Sequence, residues 1–153
     1  MDLEYNNKVI RFKEISDRLE DLMLQFPEQK REEIVFDKWS LKNVVSHLNH
    51  WMVHDIDCLT SLQNGKVPHW EEDVETFNSK GVEKRSELSW DTVFSEFRLL
   101  RERLISLYSS LDSKLLDKRI WPDKRETPRK FLDEDINHWQ NEHVIALESY
   151  LKR

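Results

Sequence analysis

Two segments of this chain carry histidines whose spacing is suited to metal binding or acid–base chemistry. The segment Trp39 to Trp51 (WSLKNVVSHLNHW) contains His47, and the segment Asp135 to His143 (DINHWQNEH) contains His138 as well as His143. Neutral imidazole nitrogens bind divalent metals, and histidine exchanges protons near neutral pH. Two helices that bring these segments together would therefore form a metal site or an acid–base site.

The first segment places one histidine beside the apolar face of a helix. At 100° per residue, His47 lies on the flank of that face, next to Trp51, His54 and Cys58, whereas His50 points away from the core. This position predicts that His47 is a ligand or a catalytic residue and that Trp51 and His54 belong to the same pocket. A histidine packed and hydrogen-bonded in the core is the alternative.

The two histidines of the second segment are spaced so that a regular α-helix could not direct both of them to one metal ion. His143 lies on the buried face, but His138 precedes it by five residues, which separates the two rings by roughly 140°. Trp139 occupies the position that would share a face with His143. A π-bulge between the two histidines would add one residue to the turn and bring them together. Asp135 or Glu142 could supply an oxygen ligand instead.

Helical periodicity runs through the whole chain and predicts an all-α four-helix bundle. The second helix begins at Ser40, a favourable N-cap, and Thr127-Pro128 opens the last one. A short polar link is expected between the first and second helices. A longer irregular insert, with a helical turn or two in residues 71–77, is expected between the second and third helices. No strand is predicted. The helices are expected at about residues 3–26, 41–63, 90–111 and 128–151, with the link at 28–38 and the insert at 64–88.

Composition limits the class of protein. With 153 residues, 38 % hydrophobic and 35 % charged, the chain predicts one domain, 1–153, with solvated outer faces. The single cysteine, Cys58, excludes an internal disulfide and a thiolate zinc cage. A net charge of −6 without a basic stripe predicts no nucleic-acid partner. The lack of a long apolar run predicts a cytoplasmic protein without a membrane partner.

The motif WSLKNVVSHLNHW resembles the helix-two signature of the DinB-like (DinB/YfiT) superfamily, in which a histidine follows the opening tryptophan, here Trp39, by eight residues. The run HLNHW and the pair His138-Trp139 are similar to the ClbS/DfsB branch of that superfamily. The stretch FNSKGVEKRSELSWDTVFSEF, with Asn78, resembles the insert and third helix of the same proteins. The resemblance spans nearly the whole chain.

This resemblance implies an up-down-down-up four-helix bundle that is often a homodimer. Many such proteins bind nickel or zinc through one histidine of helix two and an H-x3-H pair of helix four. Some are thiol-dependent transferases or isomerases, and ClbS-like members protect the cell from a reactive small molecule. By residue match, His47 is the helix-two ligand and His143 the second helix-four ligand. The first helix-four position is Trp139, or His138 if a bulge shifts the register.

Three functions therefore compete, and each uses His47 and His143 differently. The first is a bacterial protein without a cofactor that binds a small molecule and protects against a reactive metabolite, with an imidazole as general base. The second is a divalent-metal-dependent hydrolase or thiol transferase that binds nickel or zinc through His47, His143 and a third ligand, His138 or else Glu142 or Asp135. The third is a non-enzymatic dimeric bundle with structural histidines. The broken H-x3-H spacing favours the first, whose pocket would be lined by His47, Trp51, His54, Trp139 and His143.

Overall fold

Helices make up most of the structure, a computed structural model that describes residues 2–152. The two ends of the predicted domain, residues 1 and 153, lie outside this range. The all-α prediction is confirmed. The helices are α1 (Leu3–Gln25), α2 (Leu41–Gln63), α3 (Val74–Lys84), α4 (Trp90–Ser110), α5 (Pro128–His138) and α6 (Ile145–Leu151), with a π-helical segment, Trp139–Val144, joining α5 to α6. Single 3₁₀ turns lie at Glu28–Lys30 and Ser113–Leu115.

The predicted start of α2 is confirmed in detail. The Ser40 side chain accepts a hydrogen bond from the Asn43 backbone N–H, and the Asn43 side chain accepts one from the Ser40 backbone N–H. This reciprocal capping box satisfies two amide groups that would otherwise lack partners at the helix terminus. It fixes the first turn of the helix that carries His47.

The absence of strands was a wrong prediction for the link before α2. Residues Ile34–Phe36 (β1) pair antiparallel with Trp39–Ser40 (β2), and Asp37 adopts a positive φ of 57° in the turn between them. Aspartate tolerates this left-handed conformation better than most residues. Two strands of three and two residues are too short to give a readable alternation of apolar and polar residues.

The insert between α2 and α4 is more ordered than its sequence predicts. It forms α3, an eleven-residue helix whose Asp73 side chain caps the Thr76 amide. The helix packs closely on α2, since a Cβ built on Gly81 would lie 2.6 Å from His50 Cβ. His50 of α2 points away from the core, as predicted, but α3 covers that face, so the side chain is only partly exposed.

The core lies between the long helices and is rich in aromatic side chains. α2 packs against α4, and α1 packs against α4, α5, α6 and the π-helical segment. Trp139 is only 2 % exposed and stands between Phe12 of α1 and Phe97 of α4, at ring-centroid distances of 5.0 and 5.7 Å. These contacts hold the π-helical segment against the rest of the molecule.

Within residues 2–152, no helix combines the length and the apolar character that crossing a membrane requires.

Candidate metal centre

The π-helical segment Trp139–Val144 brings the two histidines of the last helical stretch together. A π-helix closes its hydrogen bonds over five residues instead of four, so one additional residue fits in the turn. His138 Nε2 and His143 Nε2 are consequently 2.9 Å apart. The conditional prediction of a bulge between these two residues is confirmed.

His47 of α2 completes the cluster. Its Nε2 lies 3.4 Å from His138 Nε2, and its ring centroid lies 5.5 Å from that of His143. One possible ligand atom from each of the three rings lies within 4.8 Å of the other two. The Trp39 ring packs against the His47 ring at a centroid distance of 4.8 Å. The tryptophan that opens the sequence motif thus helps to position the imidazole.

Burial keeps the three imidazoles of this histidine cluster neutral. It lowers the pKa of His47 to about 3, with a further contribution from the neighbouring His138, and it lowers the pKa of His138 and of His143. Each neutral ring retains a nitrogen lone pair at pH 7. Two lone pairs cannot face each other at 2.9 Å, so either a ring proton or a cation must lie between them. Three neutral imidazoles are a donor set that suits zinc or nickel.

The two carboxylates that the sequence offered as alternative ligands behave differently. Glu142 Oε2 lies 2.9 Å from His138 Nε2, with a side chain 66 % exposed, at the outer edge of the histidine cluster. Asp135 Oδ2 instead accepts a hydrogen bond from the Tyr108 hydroxyl at 2.6 Å. Glu142 therefore borders the histidine cluster, whereas Asp135 is not part of it; the three clustered ligand atoms come from His47, His138 and His143.

A cavity of about 440 Å³ adjoins the histidine cluster, and His47 and His138 form part of its wall. Two of the predicted pocket residues, Trp51 and His54, line it. Trp51 is oriented by a hydrogen bond of 2.6 Å from its Nε1 to Asn78 Oδ1 of α3. The insert therefore supplies one wall of the cavity.

Two other predicted pocket residues lie elsewhere. Trp139 faces the core, because the π-helical register turns it away from the cavity. His143 belongs to the histidine cluster but is only 8 % exposed and does not line the cavity. Cys58 is buried, and burial raises the pKa of its thiol above the usual range.

Sequence reasoning missed a pair of carboxyl groups in the same cavity wall. Asp55 of α2 and Asp135 of α5 are hydrogen-bonded to each other, and burial raises the pKa of both, that of Asp55 to about 7. Asp55 follows His54 directly, which was the one sequence signal that could have drawn attention to it. Its pairing with Asp135 depends on how α2 packs beside α5.

Comparison with models of protein families, with curated proteins and with solved structures finds no match to this chain. The fold and the site together define an all-α protein that has a three-histidine candidate metal centre beside a cavity of small-molecule size.

Proposed function

We propose that this chain is a DinB-like protein that holds a divalent metal, nickel or zinc, at His47, His138 and His143 and acts on a small molecule in the adjacent cavity. The reaction class that fits is hydrolysis or thiol transfer. The observation that carries the proposal is the distance of 2.9 Å between His138 Nε2 and His143 Nε2. The π-helical turn gives this pair the convergence that an H-x3-H motif would give in a regular α-helix.

The arrangement of the helices supports the family part of the proposal. α1, α2, α4 and the continuous stretch from α5 to α6 are four long helical rods, as in an up-down-down-up four-helix bundle. Residues 64–89 connect α2 to α4 and are numerous enough for the crossover that two parallel neighbouring helices need. The resemblance also predicts a homodimer, which light scattering on the purified chain would test.

The residues around the centre have separable roles in this proposal. A bound divalent ion would supply a Lewis acid that polarises a water or thiol nucleophile. Burial keeps the histidine lone pairs free for binding, because it disfavours the protonated rings. Glu142, exposed beside His138, is placed to accept a proton from the nucleophile. Trp51 and Phe131 give the cavity apolar walls that hold the rest of the ligand.

A metal-free function is the second candidate, and one observation favours it. A separation of 2.9 Å is also a good hydrogen-bond length between one protonated and one unprotonated ring nitrogen. The histidine cluster can therefore be satisfied without a metal. In that case the chain would be a small-molecule-binding protein of the ClbS/DfsB type that protects against a reactive metabolite, with an imidazole as general base.

Metal binding by untagged protein separates the two candidates. The chain is stripped with a chelator and titrated calorimetrically with zinc and with nickel, and metal content is measured after dialysis. We expect about one equivalent per chain, with strongly reduced affinity in His47→Ala and in His143→Ala. His69→Ala is the matched control, because that side chain is 82 % exposed and lies outside the cluster. Wild-type protein that binds neither metal contradicts the metal-dependent function and favours the metal-free one.

A further inference from the structure

The Asp55–Asp135 pair is held in a fixed arrangement by buried tyrosines. The Tyr108 hydroxyl donates to Asp135 Oδ2 at 2.6 Å, and the Tyr5 hydroxyl donates to the Tyr108 backbone carbonyl at 2.7 Å. A hydrogen bond between two carboxyl groups requires that one of them carries the proton. Burial raises the pKa of both carboxyl groups, that of Asp55 to about 7, so the pair keeps one proton and loses the other near neutral pH, where it becomes singly negative.

That negative charge has no cationic partner in its surroundings. No lysine or arginine occurs among the described residues that line the cavity. The nearest candidate is His54, whose Nδ1 lies 3.4 Å from Asp55 Oδ1, but burial lowers the pKa of this imidazole and favours its neutral form. A buried charge without a partner destabilises a fold. Such groups occur preferentially at functional sites.

The remainder of the cavity wall favours a cationic ligand with an apolar part. Trp51 and Phe131 offer aromatic faces, which attract cations and apolar groups alike. Glu134 and Glu142 add two further carboxyl groups to the lining, so an anionic ligand would be repelled.

A second observation, independent of the carboxyl groups, also indicates a ligand in this cavity. His47 is 5 % exposed and forms part of the wall; its ring interacts with the Asn78 side chain, but no described group meets its Nδ1 at full hydrogen-bond geometry. Its Nε2 faces the histidine cluster. A buried ring nitrogen without a well-formed hydrogen bond is uncommon and needs an explanation.

We propose that the Asp55–Asp135 pair anchors a protonated amine of the small molecule that occupies the cavity beside the histidine cluster. The ammonium group donates to the carboxyl oxygens, and the apolar part of the ligand lies against Trp51 and Phe131. A cavity of about 440 Å³ accommodates one small aromatic or aliphatic amine. This inference deepens the proposed function, on which it rests only for the location of the ligand.

Calorimetric titration with 2-phenylethylamine and with 2-phenylethanol tests the anchor. The two probes have nearly the same shape, but only the amine is charged at pH 7. We expect the amine to bind at least about tenfold more tightly than the alcohol, because hydrogen bonds to a charged group are the stronger ones. The preference should disappear in Asp135→Asn and in Asp55→Asn. Glu134→Gln removes an exposed carboxyl group from the same wall and should weaken amine binding much less.

Three results would overturn the inference: no binding of the amine to wild-type protein, equal affinity for the alcohol, or equal losses in Glu134→Gln and Asp135→Asn. Thermal unfolding shows whether each variant is folded, and the two probes can be compared on wild-type protein whatever the variants do. Repeating the titration with and without zinc separates the two proposals. Amine binding without zinc binding contradicts the metal centre alone, and zinc binding without amine binding contradicts the anchor alone.

Discussion

His138 Nε2 lies 2.9 Å from His143 Nε2, although five positions separate the two residues in one continuous helical stretch. A regular α-helix would place their side chains roughly 140° apart. The π-helical segment Trp139–Val144 removes that difference and turns Trp139 toward Phe12 and Phe97 in the core. One additional residue in the turn thus lets a single helical stretch present an aromatic ring to the core and two imidazoles to the site.

The π-helical register predicts which histidine substitutions affect zinc binding. His138→Ala should weaken binding at least about tenfold, because it removes the nitrogen shared by both short contacts. Adding Trp139→His to that variant should not restore binding, although it creates an H-x3-H spacing with His143. Position 139 faces the core, where the loss of tryptophan destabilises the fold by about 3–5 kcal/mol. Calorimetry measures the affinity and urea unfolding the stability. Restored zinc binding in the double variant would show that the last helix is α-helical throughout.

The carboxyl pair predicts a distinctive dependence of stability on pH. Burial raises the pKa of Asp55 from 3.8 to about 7, so between these values the folded chain binds more protons than the unfolded chain. The contribution of the pair to stability is therefore complete at low pH and is lost as pH rises from about 4 to 7. The buried histidines have lowered pKa values and act in the opposite direction, so the test compares Asp135→Asn with wild-type protein at each pH.

Asp135→Asn removes one of the two carboxyl groups whose pKa burial raises, so this loss of stability should be smaller. Between pH 5 and pH 7.5 we expect the two free-energy curves from urea unfolding to diverge by about 1 kcal/mol or more. Asp57→Asn removes an exposed carboxyl group from α2 and controls for the change of net charge. Parallel curves for Asp135→Asn and wild-type protein would mean that the pKa of Asp135 is not raised in the folded chain.

The two buried tyrosines should contribute unequally to stability. Tyr108→Phe removes the donor to a carboxyl oxygen, and we expect a loss of about 1–3 kcal/mol, because that oxygen is left without its partner. Tyr5→Phe removes a donor to a neutral backbone carbonyl and should cost about 0.5–1.5 kcal/mol. Each substitution removes a single hydroxyl, so the two variants control each other. Urea unfolding at pH 7 provides the values, and a larger loss in Tyr5→Phe would contradict the proposed hydrogen bond to Asp135.

Local signals in the sequence predicted the start of α2 and one flank of the site. Ser40 is a good N-cap, and the apolar stripe that follows it determines which side of the helix carries His47 and Trp51. Both follow from side-chain types at fixed spacing. The π-helical segment could be predicted only as a condition, because the sequence does not reveal whether the backbone closes its hydrogen bonds over four residues or five.

Features that arise from contacts between distant residues were not predictable. Asp55 and Asp135 meet because α2 and α5 pack side by side, and no spacing within either helix indicates it. Trp139 was placed in the pocket because an α-helical wheel puts it beside His143, and the π-helical register reverses this. For the insert, only part of α3 was predicted as helical. Its sequence is mostly polar, and the helix is stabilised by packing Phe77 onto α2.

Close packing of α3 on α2 predicts that a single methyl group at Gly81 destabilises the chain. A Cβ there would lie 2.6 Å from His50 Cβ and 2.7 Å from His50 Cγ, so one helix has to move. We expect Gly81→Ala to cost about 1–3 kcal/mol in urea unfolding, although alanine is the better helix former. Ser79→Ala, at an exposed position of α3, gains the same kind of propensity without the contact and should be neutral or slightly stabilising.

His50→Gly tests whether the Gly81 effect comes from that contact, because it removes the nearest atom, His50 Cβ, as well as the ring. His50→Gly alone should destabilise α2, since glycine is a poor helix former. In its background Gly81→Ala should lose its cost, which gives a coupling free energy of about 1 kcal/mol or more in the double-mutant cycle. If the effects of the two substitutions are additive, the destabilisation by Gly81→Ala does not come from the contact with His50. Because α3 supplies Asn78 to the cavity wall, Gly81→Ala should also weaken binding of 2-phenylethylamine, and His50→Gly should relieve that loss.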